Sequence, residues 1–197
     1  LLDGIDIFFS PHIFISPLSK GVKRVFTVHD LGFERFPDFL PAESLFLHKF
    51  IFNPKSQLAS ADRIIAVSKS TKDDIAGFYG IEEEKIEVIY SGVNQPQIDE
   101  TRIPEIRKKY NLPENYILYL GAIEPRKNIL GIVKAFGIFK KEQPQNLKLV
   151  IAGRSGWLNK PIFNYINNSE FRKDILLTGF IDEQDKPYIY KMSKDNN

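Results

Sequence analysis

Residues 116–139, YILYLGAIEPRKNILGIVKAFGIF, constrain the fold more than any other stretch of the chain. An apolar run rich in Ile, Leu and Tyr enters a turn that holds Gly121, Pro125 and the basic pair Arg126 and Lys127. Beyond the turn, Ile129, Ile132, Val133, Phe136 and Phe139 recur at steps of three and four. The first part reads as a buried strand and the second as a helix laid on its sheet. In an open parallel sheet, ligands bind beyond the carboxyl ends of the strands, where the next helix points its amide donors outward. Two fixed positive charges at that spot suit an anion, most simply a phosphate or diphosphate. Basic residues in such a turn also occur as plain solvated surface, and the residues alone leave both readings open.

The rest of the chain repeats this alternation. Strands are expected over residues 5–9, 23–28, 63–67 and 86–89 in the first half, and over 147–152 and 174–178 in the second. A helical pattern through Leu45, Phe46, Lys49 and Phe50 fills 41–61 and is split in two by Pro54. Further helices are expected over 70–78, 106–110, 161–167 and 182–192, the last with Tyr188, Ile189 and Met192 inward. Ser70 or Thr71 is the expected cap of the 70–78 helix, with Asp73 and Asp74 in its first turn. Strands alternating with helices give βαβ units and parallel sheets. Residues 95–113 are polar and carry Pro96, Pro104 and Pro113, which reads as a linker where two domains, 1–94 and 114–197, would hinge.

Composition narrows the function by exclusion. Lys and Arg total 27 against 25 Asp and Glu, and a net charge of +2 gives no electrostatic reason to expect nucleic acid. With no cysteine, disulfides, zinc-thiolate sites and thiol nucleophiles are all excluded. No apolar run approaches the roughly 18 residues of a membrane span. A cytoplasmic location is expected, with any membrane contact peripheral, at the inner membrane face, and made through the region before Leu1. No G-x-x-x-x-G-K-[S/T] or G-x-G-x-x-G occurs, which removes the P-loop and makes a dinucleotide oxidoreductase a poor fit. No D-x-D occurs either and the three His are scattered, so no metal site for a diphosphate is expected.

Several residues sit where strands leave the sheets. His29 ends the second strand, in V-H-D-L, and is either a ligand contact or a loop anchor; Asp30 beside it would orient it. His12 lies in S-P-H after the first strand, whereas His48 falls on the 45–50 helix as packing or surface. Ser68, after V67, caps a helix or touches a ligand, capping being the simpler role. Gly92 in Y-S-G-V-N allows a positive φ. Gly153 ends the strand at 147–152, and Phe180 and Ile181 follow the strand at 174–178, either as ligand contacts or as cover for a sheet edge.

The segment G-A-I-E-P-R-K-N at 121–128, opening a helix after a strand, resembles the donor-binding turn of the retaining family 4 (group 1) nucleotide-sugar glycosyltransferases of the GT-B fold. V-H-D-L at 28–31, S-P-H at 10–12, V-S at 67–68 and S-G-V-N at 91–94 resemble loops of the same family, Ser91 replacing the commoner Asn. The resemblance implies two Rossmann-like domains with parallel sheets, both incomplete in this chain, the first on the acceptor side and the second binding the donor. It implies that Arg126 and Lys127 contact the donor diphosphate and serve catalysis together with His29, which faces the transferred sugar. Gly121, Gly153, Phe180 and Ile181 would complete the donor site, with Phe180 and Ile181 against the base, and His12 and Asp30 would lie on the acceptor side. The family continues on both sides of this stretch, with a glycine-rich loop before it and a glutamate-bearing loop after it.

The implied reaction moves a sugar of the mannose or glucose type from a nucleotide-diphosphate sugar to a hydroxyl of a saccharide or lipid-linked acceptor, in polysaccharide or glycolipid synthesis. No cofactor beyond the donor is expected, because Arg126 and Lys127 would neutralise the leaving diphosphate without a metal. Two other readings are carried beside it: a non-catalytic nucleotide-sugar-binding fragment or partner subunit, and a sugar-nucleotide epimerase of the same fold.

Overall fold

The computed structural model describes residues 4–13, 21–94, 96–143 and 145–193. Leu1, Gln95 and residues 194–197, which entered the sequence reading, lie outside the described residues. The chain divides into two compact units between Val93 and Asn94.

In the first unit, β1 (Ile7–Ser10), β2 (Lys23–Val28), β3 (Arg63–Ala66) and β4 (Ile86–Val88) form one parallel sheet in the order β1-β2-β3-β4. Side chains of a strand alternate between faces, and here every second one is buried: Phe26 and Val28 from β2, Ile64 and Ala66 from β3. They pack with Leu31, Leu58, Ile75 and Ile86 into a single core. The β2-to-β3 crossover holds α1 (Gly32–Arg35), α2 (Ala42–Phe46) with its π-helical extension (Leu47–Ile51), and α3 (Pro54–Ala59). The helical stretch is in two pieces, as expected, one ending at Ile51 and the next beginning at Pro54, the first residue of α3. The chain turns at Asn53, which takes a left-handed φ of 41° and caps α3 by accepting from Ser56 N at 3.2 Å. Helix α4 (Lys69–Tyr79) is capped by Ser68, which accepts from Thr71 N at 3.1 Å; neither Ser70 nor Thr71 is the cap, and its first turn holds no acidic residue. Gly92 keeps a backbone open to any residue and uses no positive φ.

In the second unit, β5 (Tyr116–Leu120), β6 (Lys148–Ala152) and β7 (Ile175–Gly179) are parallel in the order β5-β6-β7. The middle strand β6 is buried on both faces. Leu149 and Ile151 enter one core with Ile129, Val133 and Phe136 of α6 (Ile129–Glu142) and Ile162 and Ile166 of α7 (Lys160–Asn167). Val150 and Ala152 enter another with Ile106 of α5 (Ile103–Lys109) and Tyr188 and Ile189 of α8 (Lys186–Met192). A continuous apolar run with helices on both faces is the signature of a parallel α/β layer.

The stretch expected to be a linker, 95–113, is therefore largely part of the second unit. Ile106 is fully buried, and an ion cluster pins α5 in place. Lys109 Nζ donates to Asp182 Oδ2 and Asp185 Oδ2, each at 2.6 Å, Tyr110 Oη donates to Asp185 Oδ2 at 2.8 Å, and Arg102 Nη2 lies 3.6 Å from Asp185 Oδ1. Polar composition concealed this, because Arg102 and Lys109 meet a buried carboxylate.

No helix among the described residues is long and apolar enough to cross a membrane.

Burial would raise the Asp185 carboxyl, but hydrogen bonds from Lys109 and Tyr110 and the charge of Arg102 hold it below its ordinary value. A carboxyl depressed on folding stabilises the fold above its unfolded value, about 3.9, and that contribution is lost as pH falls through the lower folded value. Asp185→Asn is expected to cost about 2 kcal/mol near neutral pH and to flatten the acid limb of stability against pH, measured by chemical denaturation.

Candidate donor and acceptor sites

In the first unit the ends of three neighbouring strands are tied together. His12 follows β1 and His29 follows β2, with ring centroids 5.8 Å apart, and both side chains are exposed. His29 Nε2 lies 3.0 Å from the Pro11 carbonyl, which can only accept, so Nε2 carries the proton of this contact. His12 Nδ1 meets the Ile13 carbonyl at 3.0 Å in the same way. The His29 carbonyl accepts from Thr71 Oγ1 at 3.2 Å, which links the end of β2 to the first turn of α4. Asp30 makes no hydrogen bond to His29 among the described residues: its Oδ1 accepts from Gly32 N at 2.9 Å, an Asx turn that leads into α1. The orienting partner is the Pro11 carbonyl, on a loop 18 residues earlier. His48 packs between Phe33 and Phe52, with Nδ1 2.7 Å from the Ser44 carbonyl, as a structural residue.

In the second unit a glycine stands at the carboxyl end of each strand. Gly121 N donates to the Ala152 carbonyl at 2.9 Å, and Gly153 N donates to the Gly179 carbonyl at 2.8 Å. Gly153 has φ +143°, and a Cβ there would lie 1.9 Å from the Gly121 carbonyl oxygen. The close approach that Gly153 permits is thus between two loops. The pairing continues past the sheet: Ile123 N donates to the Arg154 carbonyl and Gly156 N to the Ile123 carbonyl, each at 3.0 Å. Tyr119 Oη closes the turn from below by donating to the Ala122 carbonyl at 2.9 Å.

On this platform Pro125–Lys127 form one 3-10 turn, and Asn128, at a left-handed φ of 51°, opens α6. No side chain caps α6, so the amides of its first turn stay available as donors. The Asn128 side chain lies over Gly131, where a Cβ would come within 2.6 Å of it. Arg126 pairs through Nε with Glu124, which is 1% exposed, and its guanidinium lies 5.9 Å from the centre of the Trp157 ring. Lys127 is exposed; its backbone N donates to the Glu124 carbonyl at 3.1 Å, and its side chain makes no hydrogen bond or ion pair among the described residues. Phe180 projects at 65% exposure, but Ile181 is 2% exposed and belongs to the core with Tyr188 and Ile189, so its side chain is not open to a base. Sequence reasoning passed over Glu124, Tyr119 and Trp157. The repeated strand-end glycine was the one signal that linked their loops.

Two family profiles match the chain: Glycosyltransferase Family 4 over residues 2–95 and Glycosyl transferases group 1 over residues 102–194. The chain belongs to the group 1 glycosyltransferases of the GT-B fold. It is 24% identical over 176 residues to O-antigen chain mannosyltransferase B of Escherichia coli, aligning with 87% of this chain and 45% of that one. It is 32% identical over 136 residues to O-antigen chain mannosyltransferase RfbU of Salmonella typhimurium, covering 68% of this chain and 33% of that one. Among solved structures, Anabaena HepE in complex with UDP and glucose superposes with a TM-score of 0.62 at 16% identity, over 87% of this chain and 44% of that one. A glycosyltransferase from Rickettsia africae gives 0.59 at 20% identity, over 89% and 44%. The chain spans less than half the length of each of these proteins.

Gly153→Ala is expected to cost about 3 kcal/mol or more, since the backbone must move to relieve both the contact and the positive φ. Thermal denaturation that matched the parent protein would show that the Gly121 carbonyl does not restrict this position.

Proposed function

We propose that the chain carries the donor site, and part of the acceptor side, of a retaining glycosyltransferase. The enzyme moves a sugar of the mannose or glucose type from a nucleotide-diphosphate sugar to a hydroxyl of a saccharide or lipid-linked acceptor in surface-polysaccharide synthesis. The observation that carries the reading is the turn at 121–128, where Arg126, Lys127 and the uncapped amides of α6 meet at the carboxyl ends of a parallel sheet. The O-antigen mannosyltransferases among its relatives and the UDP- and glucose-bound HepE structure support the choice of reaction and donor class.

In this reading the acceptor oxygen bonds to the anomeric carbon on the face from which the diphosphate departs, and configuration is kept. The anomeric carbon–oxygen bond breaks, the electron pair leaves on the diphosphate, and that diphosphate takes the acceptor proton. No enzyme nucleophile is needed. Arg126, Lys127 and the helix amides stabilise the charge that develops on the diphosphate, a preorganised role that requires no metal. Phe180 offers an apolar face to the base. His29, with its Nε2 proton held by Pro11, presents Nδ1 to a sugar hydroxyl.

Replacing Arg126 or Lys127 with Ala is expected to weaken binding of the preferred nucleotide-diphosphate sugar by about 10- to 100-fold, the size of one or two charge-assisted hydrogen bonds. Titration with UDP-, GDP- and ADP-sugars measures this, and transfer of labelled sugar to an acceptor measures turnover in parallel. Unchanged affinity and turnover in both variants would refute the assignment. Binding with no transfer would favour a non-catalytic nucleotide-sugar-binding role.

A further inference from the structure

We propose that Glu124 is the positioning residue of the phosphate turn. From inside the loop it holds Arg126 by its Nε edge, so that the two terminal amino groups of the guanidinium are presented to a diphosphate. This rests on the donor-site reading of Arg126.

Glu124 is a carboxylate at 1% exposure in a loop at the edge of a sheet, an unusual place to bury a charge. A carboxylate removed from water is costly unless a cation meets it. Among the described residues its one counter-charge is Arg126, paired through Nε, and the contact is an ion pair rather than a regular hydrogen bond. The carboxylate is held from the other side as well. A Cβ at Gly156 would lie 3.0 Å from both Glu124 Cβ and Oε2, so the second loop is closed against the acid, and glycine at 156 makes room for it. Tyr119, under the same turn, feels the nearby charge: burial and then Glu124 push its hydroxyl above the ordinary value.

The guanidinium is thereby located by two contacts that do not use its outer edge. Nε is engaged by Glu124, and the guanidinium carbon lies over the Trp157 ring, 5.9 Å from its centre. The terminal amino groups make no hydrogen bond or ion pair among the described residues, and they form the planar fork that matches two phosphate oxygens. A lysine at this position could be attracted by Glu124 but could not be oriented by it. Glu124 touches no substrate in this arrangement and acts only through Arg126.

Trp157 is the only tryptophan in the chain, so its fluorescence reports directly on the guanidinium above it. The test titrates inorganic pyrophosphate into the parent chain and into E124Q, R126A and the double variant, followed by calorimetry and by Trp157 emission. E124Q keeps the shape of the side chain and removes its charge. It is expected to alter Trp157 emission before any ligand is added and to weaken pyrophosphate binding by about fivefold or more. In the R126A background the same substitution should cost no further affinity. R126A alone leaves a buried carboxylate uncompensated and should lower the melting temperature, and adding E124Q should recover it, which separates folding from positioning.

Three results would overturn the proposal. E124Q could bind pyrophosphate like the parent while R126A is impaired. E124Q could cost the same factor with and without Arg126, as a general structural role would. R126A itself could leave pyrophosphate binding unchanged, which would overturn the donor-site assignment and this inference with it.

Discussion

The carbonyl of Gly121 occupies the space that any side chain at residue 153 would need, and the candidate donor site depends on that contact. Because the two strand ends meet without a Cβ between them, the loops after β5 and β6 continue the parallel pairing beyond the sheet, through Ile123, Arg154 and Ser155. A turn that would otherwise be held only at its ends is braced along its length. Tyr119 supports it from below and Gly156 closes it against Glu124. The cationic side chains are thus mounted on a platform continuous with the most buried strand of the unit, and fixed dipoles and charges serve catalysis best when they need not reorganise.

That platform is rigid because β6 is covered on both faces, and the cover on one face comes from an element that composition disguised. Helix α5 contributes Ile106 to the core, and Lys109 at its end and Arg102 just before it converge on Asp185 at the start of α8. Packing and a buried ion cluster act together here: the apolar contact supplies the driving force, and the cluster sets where along α8 the helix sits.

Most of the architecture was legible in the sequence because its elements are strongly periodic. The steps of three and four from Ile129 to Phe139 and the unbroken apolar run of β6 each admit one reading, and the structure has those elements. What could not be read was decided by tertiary contact. Residues 102–110 look polar because their partner, Asp185, is distant in sequence. Ile181 follows a strand-end glycine just as Phe180 does, yet only the fold reveals that one turns into the core and the other out. Asp30 and His29 are neighbours in sequence, but a carboxylate two residues before a helix amide has a closer use in an Asx turn. At the candidate site, Arg126 and Lys127 could be placed on the strand-end turn from their position in the sequence alone. The residues that hold them, Glu124, Tyr119 and Trp157, carried no signal of their own, because second-layer roles are defined by geometry rather than by spacing.

The two cations of the turn are not equivalent. Arg126 is held at its Nε edge and lies over an indole, so little conformational freedom remains to be lost when its outer amino groups are used. Lys127 has no such anchor among the described residues, and its ammonium is a compact charge on a flexible stem. For a ligand whose charge moves during the reaction, this division is useful. An oriented fork selects the geometry of a diphosphate on arrival, while a mobile charge can follow the electron density as it shifts toward the leaving oxygen. The uncapped amides of α6 add a third, immobile contribution along the helix axis. Positive potential here comes from sources of graded stiffness, and the buried Glu124 carboxylate is what anchors Arg126 among them.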